Sequence, residues 1–395
     1  MNRTLLKFAV LSIAFLGADA TVIAPAIETI SQQFPGRDPS LIQSLVTLPS
    51  LTMLLTSIFF GKLSRLAKRK TLFLAGSIFF VIGGVAPTFM NDLNLILASR
   101  LVFGVGLGII NPLGNLLIFD FFKDNERASM LGLQGTSNNL GAMILQTLGG
   151  LLCVISWRYT FLTYLIMVPI YAFVRFGLPE QSSAKPEVSS TTYPARLPFK
   201  VILLELSLFV FLIFLTAFFI NIAMLVVGEK LGTPATAGIA LSSFTLGAMI
   251  TGVFFGKIMS RMKANTLSFG WALVGIGLLI LSQAHNVSLI LLGCFVTGIG
   301  FSCVIPVTFT LISDGIDQSA SGLAFGIAYT LMGIAQFFAP GYWRWVGSLF
   351  GESTGRFPIH ASALMLIAGS LALFFLTNMK TSASSRHVSR QEADL

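Results

Sequence analysis

Charge is what this chain most lacks. Asp, Glu, Lys and Arg make up 10% of its 395 residues, against about 25% in soluble chains. A shortfall of that size excludes an ordinary water-facing surface. Cysteine and histidine are scarce too. Cys153, Cys294 and Cys303 lie in or beside apolar runs, so no disulfide is predicted, and no CxxC spacing exists for a metal. His285, His360 and His387 form no ligand cluster. Neither HExxH nor GxSxG occurs, which removes the constellations an intramembrane enzyme would need. Gly252 to Lys257 looks like a P-loop but is one residue too short and lacks the following Ser or Thr, which argues against a nucleotide-driven pump. No cofactor is expected.

Apolar surface is what the chain has instead. Hydrophobic residues make up 54%, and the mean hydropathy is +0.84. Apolar runs of roughly twenty residues recur throughout, each long enough to cross a ~30 Å hydrocarbon layer as a helix. They predict an all-α membrane protein with spans near 6–27, 41–61, 70–90, 93–119, 128–152, 159–178, 201–227, 236–258, 267–284, 287–312, 319–341 and 360–378. Arg3, Lys7, the apolar stretch after them and Ala18-Asp19-Ala20 have the form of a secretory signal with its cleavage site. Cleavage would remove the first span and break the repeat described below, so the segment is read as retained.

A net charge of +9 in a soluble domain would suggest nucleic acid. Here the charges sit in short loops, so the lipid bilayer is the expected partner. With a cytoplasmic N-terminus, 19 Lys and Arg fall on the cytoplasmic side. Five face outward: Arg37, Arg158, Lys230, Arg344 and Arg356; Arg100 stays inside a span. This bias predicts a multi-pass inner-membrane protein with both termini in the cytoplasm. Residues 179–200, rich in Ser, Thr and Pro, have nothing to bury and read as a linker. They separate a six-span bundle over 1–178 from another over 201–379, with a polar, mobile tail at 380–395.

An internal repeat supports that division. Residues 56–62 (TSIFFGK) match residues 251–257 (TGVFFGK) at an offset of 195. After a shift of one, Gly104, Gly106, Pro112, Asp120 and Gly132 recur as Gly298, Gly300, Pro306, Asp314 and Gly326. Two parallel halves related by an axis along the membrane normal put a substrate site between them near the midplane.

At this point the residues resemble a known family. Span 1 reads Gly17-Ala18-Asp19-Ala20-Thr21, similar to the D-x-T motif of drug exporters. In the loop after span 2, Gly61, Leu63, Arg69 and Lys70 match a cytoplasmic gating motif, with Arg65 where that motif has Asp and Lys68 where it has Gly. Span 4 carries Arg100, Gly104 and Gly106 as R-x-x-x-G-x-G. Span 5 carries Gly132, Gly141, Gly149 and Gly150 at the spacing of an antiporter helix-packing motif, with Leu145-Gln146 replacing its Gly-Pro pair. Together these resemble the drug:proton antiporter branch of the major facilitator superfamily over nearly the full length. The resemblance implies two six-helix bundles related by a pseudo-twofold axis. It further implies that Arg100 helps couple protonation to conformational change.

Charged residues inside hydrocarbon cost at least ~2.5–3.5 kcal/mol and usually face a partner or a cavity. Asp19 lies about 18 Å beyond Lys7, and Arg100 about 12 Å in from Asp92, by helix rise. These depths coincide. Asp19 is read either as a proton carrier tuned by nearby positive charge or as half of a fixed ion pair between spans 1 and 4. In span 4, Arg100, Gly104, Leu107, Asn111 and Asn115 share one stripe. Their counterparts Cys294, Gly298, Phe301, Ile305 and Phe309 are apolar. Proton chemistry is therefore expected in the first half and apolar substrate contact in the second, unless both stripes simply pack. Phe211, Phe214, Phe218 and Asn221 recur at helical spacing in span 7, as cavity wall for a flat lipophilic or cationic compound or as a stripe facing lipid or core. Gln134 and Asn138 form a polar i, i+4 pair, as site or as packing. Glu205, five residues from Lys200, is read as a solvated or snorkelling group.

The expected function is proton-coupled export of small amphipathic or cationic compounds by a monomer using the proton gradient. Transport of a specific metabolite such as a sugar, peptide or siderophore is the alternative. A channel is disfavoured by the two-half repeat and the lone buried carboxylate.

Overall fold

A computed structural model describes residues 3–16, 19–178, 197–316, 321–352 and 355–393. Every element among them is helical. α1 (Arg3–Ala14), a 3-10 segment (Asp19–Ala26) and α2 (Ile27–Gln33) form the first pass. Then follow α3 (Pro39–Leu66), α4 (Arg69–Val85), α5 (Leu93–Phe121) and α6 (Asp124–Ile155). A 3-10 segment (Trp157–Ile166) leads into α7 (Met167–Gly177). The second half contains α8 (Phe199–Ala223), α9 (Pro234–Met262), α10 (Asn265–Ser282), α11 (Val287–Ser313), α12 (Ser321–Phe350) and α13 (Arg356–Ala393). By length and composition, ten of these stretches suffice to cross a membrane. The broken first pass and α12 complete the two sets of six.

Local chemistry sets many boundaries. Asp38 accepts from the Ser40 amide and Pro39 opens α3; Asp92 accepts from Asn94 and Leu95 at the start of α5. Thr233 and Thr236 form a capping box before α9, and Asn286 caps α11. Such short polar side chains satisfy amide donors left without a carbonyl in the first turn.

Three features depart from the sequence reading. The first span is not one helix over 6–27: it switches to 3-10 winding at Asp19, with Pro25 inside that stretch removing one donor from the ladder. Short 3-10 stretches within a helical run often mark hinges. Second, α13 runs on as helix to Ala393, through the segment expected to be a mobile tail. Third, Glu205 is 2% exposed, and its Oε1 has no hydrogen-bond partner among the described residues; it does not face solvent. The expected linker lies outside the described residues except for its last four positions.

The repeat reappears as backbone geometry. Gly106 lies against the backbone of Gly76 and Phe80, and Gly300 against that of Gly270 and Val274, all displaced by 194 residues. Gly83 meets Ser99 and Phe103 as Gly277 meets Gly293 and Thr297, again displaced by 194. Within each half, α3, α4 and α5 pack together as α9, α10 and α11 do. Between the halves, α6 packs on α9 and α12 on α3. Apolar side chains such as Ile155, Phe176 and Val253 point outward, as hydrocarbon solvent permits.

Candidate functional site

The N-terminal side of the molecule is marked by an ion pair. Arg3 and Lys7 of α1 both meet Glu126 at the start of α6. The hydrogen bond from Arg3, then that from Lys7, holds the Glu126 carboxyl down at about 2. A depressed carboxyl contributes stability above its unfolded value of ~4.3 and loses it as pH falls through the folded value. Glu126→Gln is therefore expected to leave the pH profile of thermal unfolding unchanged between pH 5 and 8. The variant and wild type should converge only below about pH 4.

Between the two halves, cavities stack along the pseudo-twofold axis. A central one of about 330 Å³ is lined from the first half by Thr21, Thr47, Ser50, Asn111, Asn138, Asn139 and Gln146 among others. From the second half come Leu212, Leu215, Thr216, Phe219, Phe244, Thr245, Phe301, Met332 and Gln336. A chamber of about 630 Å³ continues from it toward the N-terminal side, past Asn115, Gln134, Gly135 and Tyr329. The two share Ser50, Met53, Asn111, Asn138, Met332 and Gln336. One wall is rich in carboxamides and hydroxyls and the other is mostly apolar.

On the opposite side the halves close. Gln43 of α3 donates to the Asn221 carboxamide of α8 over 2.9 Å, whereas Ser50 donates to Gln336 of α12 over 2.9 Å where the two cavities meet. Asp38 pairs with Arg344 across the same seam. On the other seam, the Thr147 and Ser242 hydroxyls lie 2.6 Å apart, and Gly150 approaches so near Pro234 and Gly238 that a Cβ would sit 2.5 Å from the Pro234 carbonyl oxygen. Beyond this layer lies a third cavity of about 270 Å³, lined by Asp38, Gln43, Asn221, Trp343 and Arg344 among others. Toward the N-terminal side a Cβ on Gly135 would meet nothing within 4 Å. Among the described residues, the contacts between the halves that close the central cavity thus lie on the side away from the N-terminus.

Sequence-predicted residues distribute unevenly over this geometry. Asn111, Asn115, Gln134 and Asn138 line the chamber. Asn221 does not: 2% exposed, it bonds Gln43 and the Ala217 carbonyl in the sealing layer. Phe211 and Phe218 are fully buried, against Trp271 and against Phe219 and Phe244, and Phe214 packs on Trp343. The cavity face of α8 is Leu212, Leu215, Thr216 and Phe219, one position along. Ser50, Asn139, Gln146 and Gln336 were missed. Gln146 stood in the sequence only as a motif substitution, although a carboxamide in the middle of a span already signals a cavity or a partner.

Arg100 is the largest fully buried side chain described. Its Nε donates to the Leu45 carbonyl over 3.0 Å. Its guanidinium lies 4.3 Å from the Phe103 ring centre and 5.3 Å from that of Tyr164. Nη1 and Nη2 have no partner among the described residues, nor has Thr47 Oγ1. The side chain of Asp19 lies outside the described residues, as do Gly17 and Ala18; its backbone opens the 3-10 segment, which packs on α3, α6 and α8.

In the gating motif, Arg69 is buried, its Nε 2.9 Å from Asp120 Oδ2 and its Nη1 2.7 Å from the Ser64 carbonyl. The surroundings of Gly61, Arg65 and Gly132 lie outside the described set, and Lys70 is half-buried. Breaking a buried pair from one side typically costs 3–5 kcal/mol. Arg69→Met is accordingly expected to lower the midpoint of thermal unfolding in detergent, and Arg69→Met with Asp120→Asn to recover most of the loss. Gly149 packs on the Val22 carbonyl, and Gly141 on that of Phe15, so both hold α6 against the first pass.

Comparison with known proteins places this geometry. The profile described as Major Facilitator Superfamily matches residues 9–224 and 206–394. Multidrug resistance protein 3 of Bacillus subtilis is 30% identical over 42% of this chain, a match that spans 32% of that relative's length. Multidrug resistance protein MdtL of Citrobacter koseri is 25% identical over 74% of this chain and 76% of its own. A hexuronate transporter of Bacillus subtilis is 24% identical over 78% of each. Among solved structures, a D-xylose-proton symporter superposes with a TM-score of 0.74 over 94% of this chain and 97% of that one, at 16% identity. Matched by that profile over both of its helical halves, the chain belongs to the Major Facilitator Superfamily.

Proposed function

We propose that this protein exports small amphipathic compounds from the cytoplasm in exchange for protons. The observation that carries the reading is the two-walled chamber, polar on the first half and apolar on the second. Such a site suits a molecule with one polar and one greasy face. We take the N-terminal side as the one from which substrate enters; the sequence concentrates Lys and Arg there, and by the positive-inside rule that side is the cytoplasm, in an inner membrane crossed by a monomer. Coupling falls to Asp19 and Arg100. Arg100 presents two amino groups without a described partner, and the segment opened by Asp19 packs on the helix, α3, that Arg100 bonds. A proton on Asp19 would alternate with that interaction as the halves rock.

The first test is uptake of a lipophilic cationic dye into everted vesicles under an imposed pH gradient. Gradient-dependent movement that a protonophore collapses, and that control vesicles lack, is expected. In the same assay Asp19→Asn should abolish coupled transport while leaving the unfolding midpoint intact. Fully gradient-dependent transport by that variant would sink the coupling assignment.

A second reading, a dedicated metabolite transporter, is favoured by the carboxamides of Asn138 and Asn139 on the polar wall, which bond no described residue, and by the metabolite named for the hexuronate relative. Failure of several dyes to move, with a metabolite screen giving a hit, would decide for it.

A further inference from the structure

The carboxamides and rings of the central cavity narrow the substrate class, on the reading that this cavity is the transport site. Phe219 of α8, Phe244 of α9 and Phe301 of α11 come from three helices to form one aromatic surface. Phe219 stands edge-on to Phe244 with ring centres 5.2 Å apart, and Phe301 tilts against Phe244 at 5.5 Å. From the other half come Asn111 of α5 and Asn138 and Asn139 of α6. Asn138 and Asn139 make no hydrogen bond to another described residue, and the only one Asn111 makes is a 3.6 Å contact from its amide nitrogen to the Met53 sulfur. Gln146, by contrast, is occupied by Thr21 and Thr245.

A carboxamide presents a donor and an acceptor side by side. It pairs most strongly with a partner whose edge offers the complementary acceptor and donor, the match by which Asn and Gln read a purine edge. Aromatic faces and edges favour a flat ring, stacked with offset or met edge-on. Three such carboxamides across from three such rings, in a cavity at the small end of the ~300–1,000 Å³ typical of ligand sites, describe one shape of ligand. We infer that the substrate is a planar heteroaromatic compound whose edge carries an adjacent hydrogen-bond donor and acceptor, and that Asn138 and Asn139 read that edge.

The experiment is equilibrium binding to the purified full-length chain in nanodiscs, with no gradient. The probes are two fluorescent ring compounds with such an edge, lumichrome and 2-aminopurine, each beside its N-methylated counterpart without the donor, and tetraphenylphosphonium as a bulky lipophilic cation. At least one edge-bearing probe is expected to bind tenfold or more tighter than its methylated counterpart and tighter than tetraphenylphosphonium. Asn138→Leu with Asn139→Leu should bring that ratio to within threefold. An unchanged unfolding midpoint in the variant would show that it folds; if it does not, Asn138→Asp and Asn139→Asp, tested singly, must each reduce the ratio. Equal binding of both methylated and unmethylated probes, no binding of either, or a ratio the variants leave unmoved would overturn the inference. Because no gradient is used, failure of proton coupling in vesicles would leave this result standing, and loss of discrimination here would leave the coupling standing.

Discussion

Arg100→Lys is expected to cut gradient-driven transport by more than tenfold, although the charge is kept. The guanidinium does three things at once: its Nε holds the Leu45 carbonyl, its face rests on Phe103, and Tyr164 lies within 5.3 Å. A buried hydrogen bond from a charged donor contributes about 1.5–3 kcal/mol, and a cation over a desolvated ring about 1–2 kcal/mol. An ammonium is a compact point charge that cannot make a flat contact and a directed bond together while leaving two further donors free. Losing roughly 2–3 kcal/mol of positioning corresponds to roughly 30- to 150-fold in an equilibrium between conformers. The lysine variant should still insert and fold, since lysine also bears charge and a long apolar stem. Wild-type rates in vesicles would mean that only the charge matters and that the fork geometry is incidental.

Bridging positions 43 and 221 should abolish transport altogether. In the structure these side chains join the halves by one 2.9 Å hydrogen bond, with the central cavity on one side and the 270 Å³ cavity on the other. Opening of the central cavity toward that second cavity requires that bond to part. With Gln43→Cys and Asn221→Cys joined by a short thiol-cleavable bifunctional reagent, transport is expected to fall to the background of empty vesicles and to return on reduction. Cys153, Cys294 and Cys303 are buried, so reagent should concentrate at the introduced pair. Each single variant treated with the same reagent is the control. Continued transport by the bridged protein would place the moving seam elsewhere.

Much of the fold was legible because hydrocarbon imposes its own period: a span must be long and apolar whatever it packs against. The repeat was legible for a related reason. Gly104 and Gly106 recur as Gly298 and Gly300 because a neighbouring backbone passes where a Cβ would be. Which face of a span meets the chamber was harder. α8 is apolar on every side, so no moment marks its cavity stripe. A Phe-based reading of α8 chose Phe211, Phe214 and Phe218; the only polar residue on the true face is Thr216. Asn111 and Asn138 were easier, since unpaired carboxamides in spans stand out against an apolar ground. Glu205 misled for the opposite reason. Its distance from Lys200 speaks to its position along the helix, and position along a helix says nothing about direction around it. The break in span 1 left a faint sign in Pro25, which one proline in an otherwise apolar run did not make decisive.

Those glycine contacts carry a consequence for ancestry. Where helices touch main chain to main chain, as Gly106 touches Phe80 and Gly150 touches Pro234, their spacing is set by groups every residue possesses. The remaining side chains are then free to drift without disturbing the scaffold. A chain can share one in six residues with a sugar symporter and still trace the same path through the membrane. On such a scaffold a change of cargo needs replacements only at the few positions that face the chamber.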